Sequence, residues 1–389
     1  ERVEAALRHR EPDRTPIFEY VLLSPLADVF VGHPYGGDPA NWPALVQELG
    51  WAEAVRREAR DRLELAIRLG HDMLYVWPNP LPPGAEPAPS PEGLPDDPVE
   101  RLMRRNELQA ARPGKPHDDS LLVYVYLKEE MQRRGVDLPI LAPAWSHGVW
   151  TDVDLMQTMM LAPEVAHRHF ALATRGSLGL VDAYVALGIE QIGVGGDMAG
   201  NRPIISPRAY HDFIMPEVRT VTRRIHAAGC WAVNASDGDL WPVIEDYLLG
   251  CEVDGMVEID LHAGMDIRRL KAIYGDRITF YGNMDPGITL SFASPEEVKQ
   301  VTLDILEAGM GNGGHIFCRC GTTWLSSRPT VPASGCRRSG CSSHQVCSYG
   351  SPHCARISVV VRVHSLPQAH CRVAAARPLQ FCASTSNTR

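Results

Sequence analysis

Short apolar runs recur through the first 318 residues, separated by longer amphipathic stretches, and this alternation constrains the fold more than any other feature. The runs are Pro16–Val21, Met73–Trp77, Ile140–Ala144, Gln191–Val194, Trp231–Asn234, Gly255–Ile259, Ile278–Gly282 and Gly314–Cys318. Each is apolar through most of its length, as strands covered on both faces must be. Helical patterns lie between them. Arg56–Leu69 places Leu63, Ala66 and Ile67 along one side, and Pro163–Gly188 runs long before a glycine stop. Ser206-Pro207 and Ser294-Pro295 each set an N-cap before a proline at the first helical position, and Glu297 completes a capping box. Strands alternating with helices imply a parallel sheet, and eight strands close a TIM-type (β/α)8 barrel over residues 1–318. An open doubly wound sheet is the other solution, but no glycine-rich phosphate fingerprint follows an early strand.

Two stretches depart from the alternation. Residues 78–98 hold nine prolines in 21 positions, and 99–139 read as largely helical with a breaker at Arg112–Pro116. The excursion at 78–139 reads equally as a rigid surface connection or as a lid, since it leaves from a strand's C-terminal end. The second departure is a seam of composition. Residues 319–389 contain nine Arg and no Lys, Asp or Glu, and eight of the ten Cys lie at or beyond Cys318. Residues 1–318 thus carry 29 basic against 47 acidic side chains, a charge of −18, and the remainder carries +9. The bias is that of a frameshifted or disordered Cys/Arg-rich tail, in which only Ile357–Val363 resembles a strand. The spacing of Cys336, Cys341, Cys347 and Cys354 lacks the paired knuckles of a zinc module.

The acidic balance argues against a nucleic-acid partner, and no apolar run is long enough for a membrane span, so a cytoplasmic enzyme is expected. In a barrel the chemistry sits where the strands end. Those positions hold Glu19, Trp145 and His147, Asp197, Asp237, Glu258, Asn283 and Asp285, and Cys318. Convergence of carboxylates, an imidazole and a thiol on one face marks a site that none of them marks alone. Asp237, His147 and Glu258 are the expected catalytic groups, Asp237 foremost, because Gly238 permits a turn that aims its carboxylate at the barrel axis. Glu19, Trp145, Asn283 and Asp285 are expected to hold a small substrate. Acids on neighbouring strands should also titrate abnormally, since like charges in a confined mouth oppose joint ionisation.

Several segments, in order, resemble the uroporphyrinogen decarboxylase superfamily. They are Arg2–Leu7 with Glu11–Pro16, Gly196-Asp197-Met198 with Ile205–Tyr210, Ala263–Asp266, Tyr281–Pro286 and Gly313–Phe317. The resemblance implies the same barrel, ending in an eighth helix where this chain has its biased tail. It also implies one of two chemistries. True decarboxylases of the family resemble one another in an arginine-rich loop after the first strand, which suits a substrate with eight acid groups. Here no Lys or Arg occurs between Arg14 and Arg56, so such a substrate would lack its bidentate partners. The other branch resembles methylcobalamin-dependent methyltransferases, with a zinc-activated thiol and a corrinoid carried by a partner protein. The positions that match its zinc ligands are Asp197, Asp237 and Cys318, with Ala235 where that branch has a histidine. The resemblance therefore favours a methyltransferase-like enzyme acting on a small substrate. Decarboxylation of a porphyrinogen or smaller acid is the alternative, and a non-catalytic partner of a corrinoid protein is a third reading.

Overall fold

The computed structural model describes residues 1–85 and 95–319. Seven parallel strands lie side by side in chain order: β1 (Leu74–Tyr75), β2 (Ile140–Pro143), β3 (Gln191–Gly195), β4 (Trp231–Ala235), β5 (Gly255–Val257), β6 (Thr279–Tyr281) and β7 (His315–Ile316). Their register sets Ile192 opposite Ala232, Asn234 opposite Met256 and Val257 opposite Tyr281. All seven fall within the runs expected to be strands or one residue beyond them.

The eighth expected strand, Pro16–Val21, closes the ring without becoming a regular strand. Phe317 N donates to Pro16 O at 2.8 Å, Phe18 N donates to Phe317 O at 3.2 Å, and Asp72 N donates to Ile17 O at 2.8 Å. The ladder stays short for a local reason. Pro16 has no N–H, and the Ile17 N–H is taken by the Asp72 carboxylate at 2.9 Å. The architecture is the expected TIM-type barrel.

Alternate side chains of the strands fill the barrel. Phe18, Met73, Leu141, Val233, Val257, Tyr281, Ile316 and Cys318 form one buried cluster. Burying each such side chain stabilises the fold by roughly 1.5–3 kcal/mol. The buried Tyr281 hydroxyl bonds Gln191 Oε1 at 2.6 Å. The helix Arg2–Leu7 packs Val3, Ala6 and Leu7 onto the same cluster, and Gly314 N donates to Ala6 O at 3.0 Å.

Outside the strands, the expected helices form with the expected caps. Ser294 Oγ accepts from Glu297 N at 3.3 Å while Glu297 Oε2 accepts from Ser294 N at 2.7 Å. Ser206 caps Pro207–Ala209, but the chain then passes through a π-helical turn at Tyr210–Ile214 before Met215–Ala227, a widening the periodicity did not signal. Another such turn lies at Asp246–Gly250.

Within the excursion, the described residues build a packed connection. Helix Leu122–Arg134 lies on helix Trp51–Leu69, and helix Pro98–Ala110 lies on Val153–Leu161 and Pro163–Ala186. Two ion pairs, Arg101–Asp154 at 2.6 Å and Arg105–Asp152 at 2.7 Å, fasten it. Of residues 78–139, none that is described lines the barrel mouth. The tail expectation falls outside the described residues except at Arg319. That residue is buried and pairs with Glu19 at 2.8 Å, so it belongs to the barrel. The cysteines from Cys336 onward and the Ile357–Val363 strand lie outside the described residues.

Candidate active site at the barrel mouth

Three acids are delivered to the mouth by three consecutive strands. β3 ends at Gly195, whose backbone (φ +111°) leads through Gly196 to Asp197. A Cβ on Gly195 would stand 2.0 Å from Asn234 Oδ1, so only glycine lets β3 lie this close to β4. β4 delivers Asp237, whose backbone N–H donates to Asp197 Oδ1 at 3.2 Å. Gly238 follows with φ +90°, where a Cβ would meet the Ala199 carbonyl carbon at 2.4 Å, so the position requires glycine. β5 delivers Glu258, a non-glycine residue held at φ +68°. Backbone held in this region is a cost that proteins concentrate at functional sites.

The electrostatics follow from the placement. Glu258 is only 6% exposed and accepts no hydrogen bond from the described residues. Burial pushes its pKa well above the ordinary carboxyl value, and the charges of Asp237 and then Asp197 push it further. Glu258 therefore holds its proton more tightly than an ordinary carboxyl does, beside two aspartates. The sequence-based expectation of abnormal titration among these acids is met at this residue.

Asp197 and Glu258 open onto a cavity of about 300 Å³ that is also lined by Tyr20, Tyr75, Trp77, Trp145 and Ser146, while Asp237 stands beside them outside the lining. Apart from Trp145, this aromatic wall was not foreseen. Tyr20 and Tyr75 have ring centroids 4.2 Å apart, and Trp77 meets Tyr75 edge-on at 5.5 Å and 80°. Aromatic residues inside apolar runs read as core, and the signal that could have found them is their position at or just past a strand's C-terminal end. Burial, then the charge of Glu258, raises the Tyr20 phenol well above its ordinary pKa, so Tyr20 stays a neutral hydrogen-bonding group.

The other expected site residues divide. Trp145 lines the cavity, with its indole N–H donating to Thr174 Oγ1 at 3.1 Å, which fixes the ring. His147 lies behind the rim, 3% exposed, and burial lowers its pKa to about 4, so it is a neutral imidazole. Its Nδ1 accepts from Val149 N at 3.3 Å. Glu19 turns away into its pair with Arg319 and lines a separate cavity of about 30 Å³. Asn283 is buried, its amide donating to Met265 O at 3.4 Å.

Asp285 is a structural carboxylate in this arrangement. It accepts from the backbone N–H groups of Gly287, Ile288 and Thr289 at 2.8–2.9 Å and pairs with His262 at 3.0 Å. Burial would raise its pKa, but His262 and the three donors outweigh it and hold the group below the carboxylate range.

The zinc ligands implied by the resemblance can be judged on the donors themselves. Cys318 is fully buried in the apolar cluster with Phe18, Tyr281 and Ile316. Among the described residues, no three His, Cys, Asp or Glu side chains are grouped to hold a metal ion, so Asp197, Asp237 and Cys318 do not form a zinc site as arranged.

A closed parallel barrel with an acid and aromatic mouth defines the class of molecule. Residues 151–325 match the family model described as uroporphyrinogen decarboxylase (URO-D). The likeness to that family thus covers somewhat under half of the chain. It is 24% identical over 221 residues to the uroporphyrinogen decarboxylase of Aromatoleum aromaticum, covering 52% of this chain and 58% of that one. Against the Pseudoalteromonas atlantica enzyme it is 31% identical over 121 residues, 29% of this chain and 31% of the relative. These matches thus span from under a third to somewhat over half of the curated relatives' length. A solved methyltransferase from Methanosarcina mazei shares the fold, with a TM-score of 0.59 at 18% identity, over 82% of this chain and 92% of that one. Among the described residues, no helix is long and apolar enough to cross a membrane.

Proposed function

We propose that this chain is a methyltransferase-like enzyme of the superfamily, acting in the barrel mouth on a small substrate that carries no acid groups. One observation carries the reading. Asp197 and Glu258, whose pKa is raised by burial and by the neighbouring Asp237, line a cavity of about 300 Å³ whose described lining includes no Lys or Arg. An acid-rich substrate would meet repulsion there with no guanidinium to pair with it. A cavity of this size suits a small molecule.

In this reading Asp237 accepts a proton from the methyl acceptor, the task of a carboxylate poised beside a substrate. Glu258 holds a proton it can donate, and Asp197 fixes Asp237 through the backbone N–H at 3.2 Å. A corrinoid, if used, would be presented from outside by a partner protein. The second reading, decarboxylation, is favoured by the activity named for the curated relatives, with an aspartate steadying positive charge on a pyrrole.

The test places the purified protein with methylcobalamin and a set of thiol, phenol and amine acceptors, and separately with uroporphyrinogen. Loss of the methylcobalamin spectrum with formation of methylated acceptor is the expected result. Carbon dioxide release from the porphyrinogen without methyl transfer would replace this reading with the second.

A further inference from the structure

We infer that the mouth is a recognition site for a small methylated ammonium cation, held against the Tyr75–Trp77 corner and opposite the carboxyl groups of Asp197 and Glu258. This deepens the methyltransferase-like reading and rests on it for the chemistry, though not for the binding.

The geometry has two independent parts. The first is the aromatic wall. Tyr75 and Trp77 lie at 80° to one another, so their ring planes meet in a corner, and Tyr20 packs over one face of Tyr75 at 4.2 Å and 33°, leaving the other face for a ligand. Ring faces carry negative quadrupole potential and attract cations that are poorly hydrated, which is how aromatic cages hold quaternary ammonium groups. Trp77 already shows this preference: the Arg62 guanidinium carbon lies 5.2 Å from its ring centroid. Arg62 does not compete for the mouth. It lines the separate smaller cavity that shares Tyr20, Tyr75 and Trp77, and it is paired with Glu58 at 2.8 Å.

The second part is the unmatched carboxyl. Glu258 is a polar side chain more than nine-tenths buried, it lines the cavity, and it accepts no hydrogen bond from the described residues. A buried polar group without a partner is costly unless something else occupies its side. Hydrogen-bond donors on the ligand would be one answer, but apart from the Tyr20 and Tyr75 hydroxyls the wall opposite presents aromatic ring carbon. A cation without N–H groups suits both surfaces, because its methyl groups pack on rings while its charge faces the acids. A primary ammonium or a metal ion would be left under-solvated against the rings. The cavity of about 300 Å³ has room for a choline-sized molecule.

The experiment measures equilibrium binding by calorimetry and tryptophan fluorescence, using choline, its uncharged isostere 3,3-dimethylbutan-1-ol and the anion 3,3-dimethylbutanoate. Choline should bind at least about ten-fold more tightly than the isostere, the scale of a desolvated cation–π contact, and the anion should bind more weakly than either. Tyr75→Leu and Asp197→Asn should each weaken choline by about ten-fold, while Tyr75→Phe, which keeps the ring face, should stay within about three-fold. Equal affinity for choline and its isostere overturns the inference, as does preference for the anion or no choline binding at 50 mM added ligand by either method. The two readings separate cleanly. Choline binding without consumption of methylcobalamin keeps the site and removes the transferase, whereas methyl transfer to a thiol without choline binding does the reverse.

Discussion

Asp237 and Glu258 sit on adjacent strands and play opposite parts. Asp237 is the expected base, and Asp237→Asn should lower turnover by about 10²-fold or more, the scale of a lost acid/base group, while the thermal transition stays within a few degrees. Turnover within a few-fold of the parent would move the base elsewhere on the rim. Glu258 makes a prediction about stability. Its pKa in the fold lies well above the unfolded value, so the folded protein keeps a proton that the unfolded chain gives up. Stability is therefore undiminished below the unfolded carboxyl pKa of about 4.3 and declines as pH rises above it. Glu258→Gln removes that decline, so its melting temperature should match the parent near pH 4 and exceed it at pH 7. A lower melting temperature at pH 7 would show that Glu258 contributes as an ionised, paired group. His147 carries the reverse sign: its pKa falls to about 4 in the fold, so its contribution is present above about pH 6.5 and lost as pH falls toward 4.

Strand positions were legible because a barrel strand is buried on both faces and reads as an uninterrupted apolar run. The first run was the exception, and the reason lies in single residues. Pro16 cannot donate and the Ile17 N–H is diverted to Asp72, so closure depends on side chains as well as on a ladder. Asp72 also takes Arg14 at 2.7 Å and Arg2 at 3.1 Å, which ties the N-terminal segment to the start of β1. Asp72→Ala should cost about 3–5 kcal/mol in urea unfolding, the usual loss when one partner of a buried charge pair is removed. A loss under about 1 kcal/mol, typical of surface pairs, would mean that the ring closes without it. The π-helical turns at Tyr210–Ile214 and Asp246–Gly250 left no trace in the sequence, since one extra residue per turn barely disturbs helical periodicity over five residues. Asp285 shows a related ambiguity. An acid after a strand looks the same whether it faces substrate or collects the N–H groups of the turn that follows, and here it does the latter.

Over the whole molecule, the site is the meeting of loops more than 60 residues apart in sequence, from Asp197 to Glu258 and back to Tyr75 and Trp77. The acids could be read from strand ends alone. The aromatic corner needed the ring to be closed, because nothing local says that Tyr75 and Trp77 face the same space as Glu258. Closure also involves Arg319, just past the compositional seam. A chain ending at residue 318 leaves Glu19 without its cation, whereas one ending at 325, where the family match stops, keeps the pair. The shorter chain should be the less stable of the two by about 3–5 kcal/mol, read from urea midpoints, and equal midpoints would make the pair dispensable. The central claim is that the barrel gathers three acids so tightly that one stays protonated. Carbon-13 NMR of protein labelled at the Glu side-chain carboxyl tests it directly. One protonated carboxyl signal should persist at pH 7, vanish in Glu258→Gln, and titrate at lower pH in Asp237→Asn. A spectrum in which every Glu carboxyl is ionised at pH 7 would contradict the account.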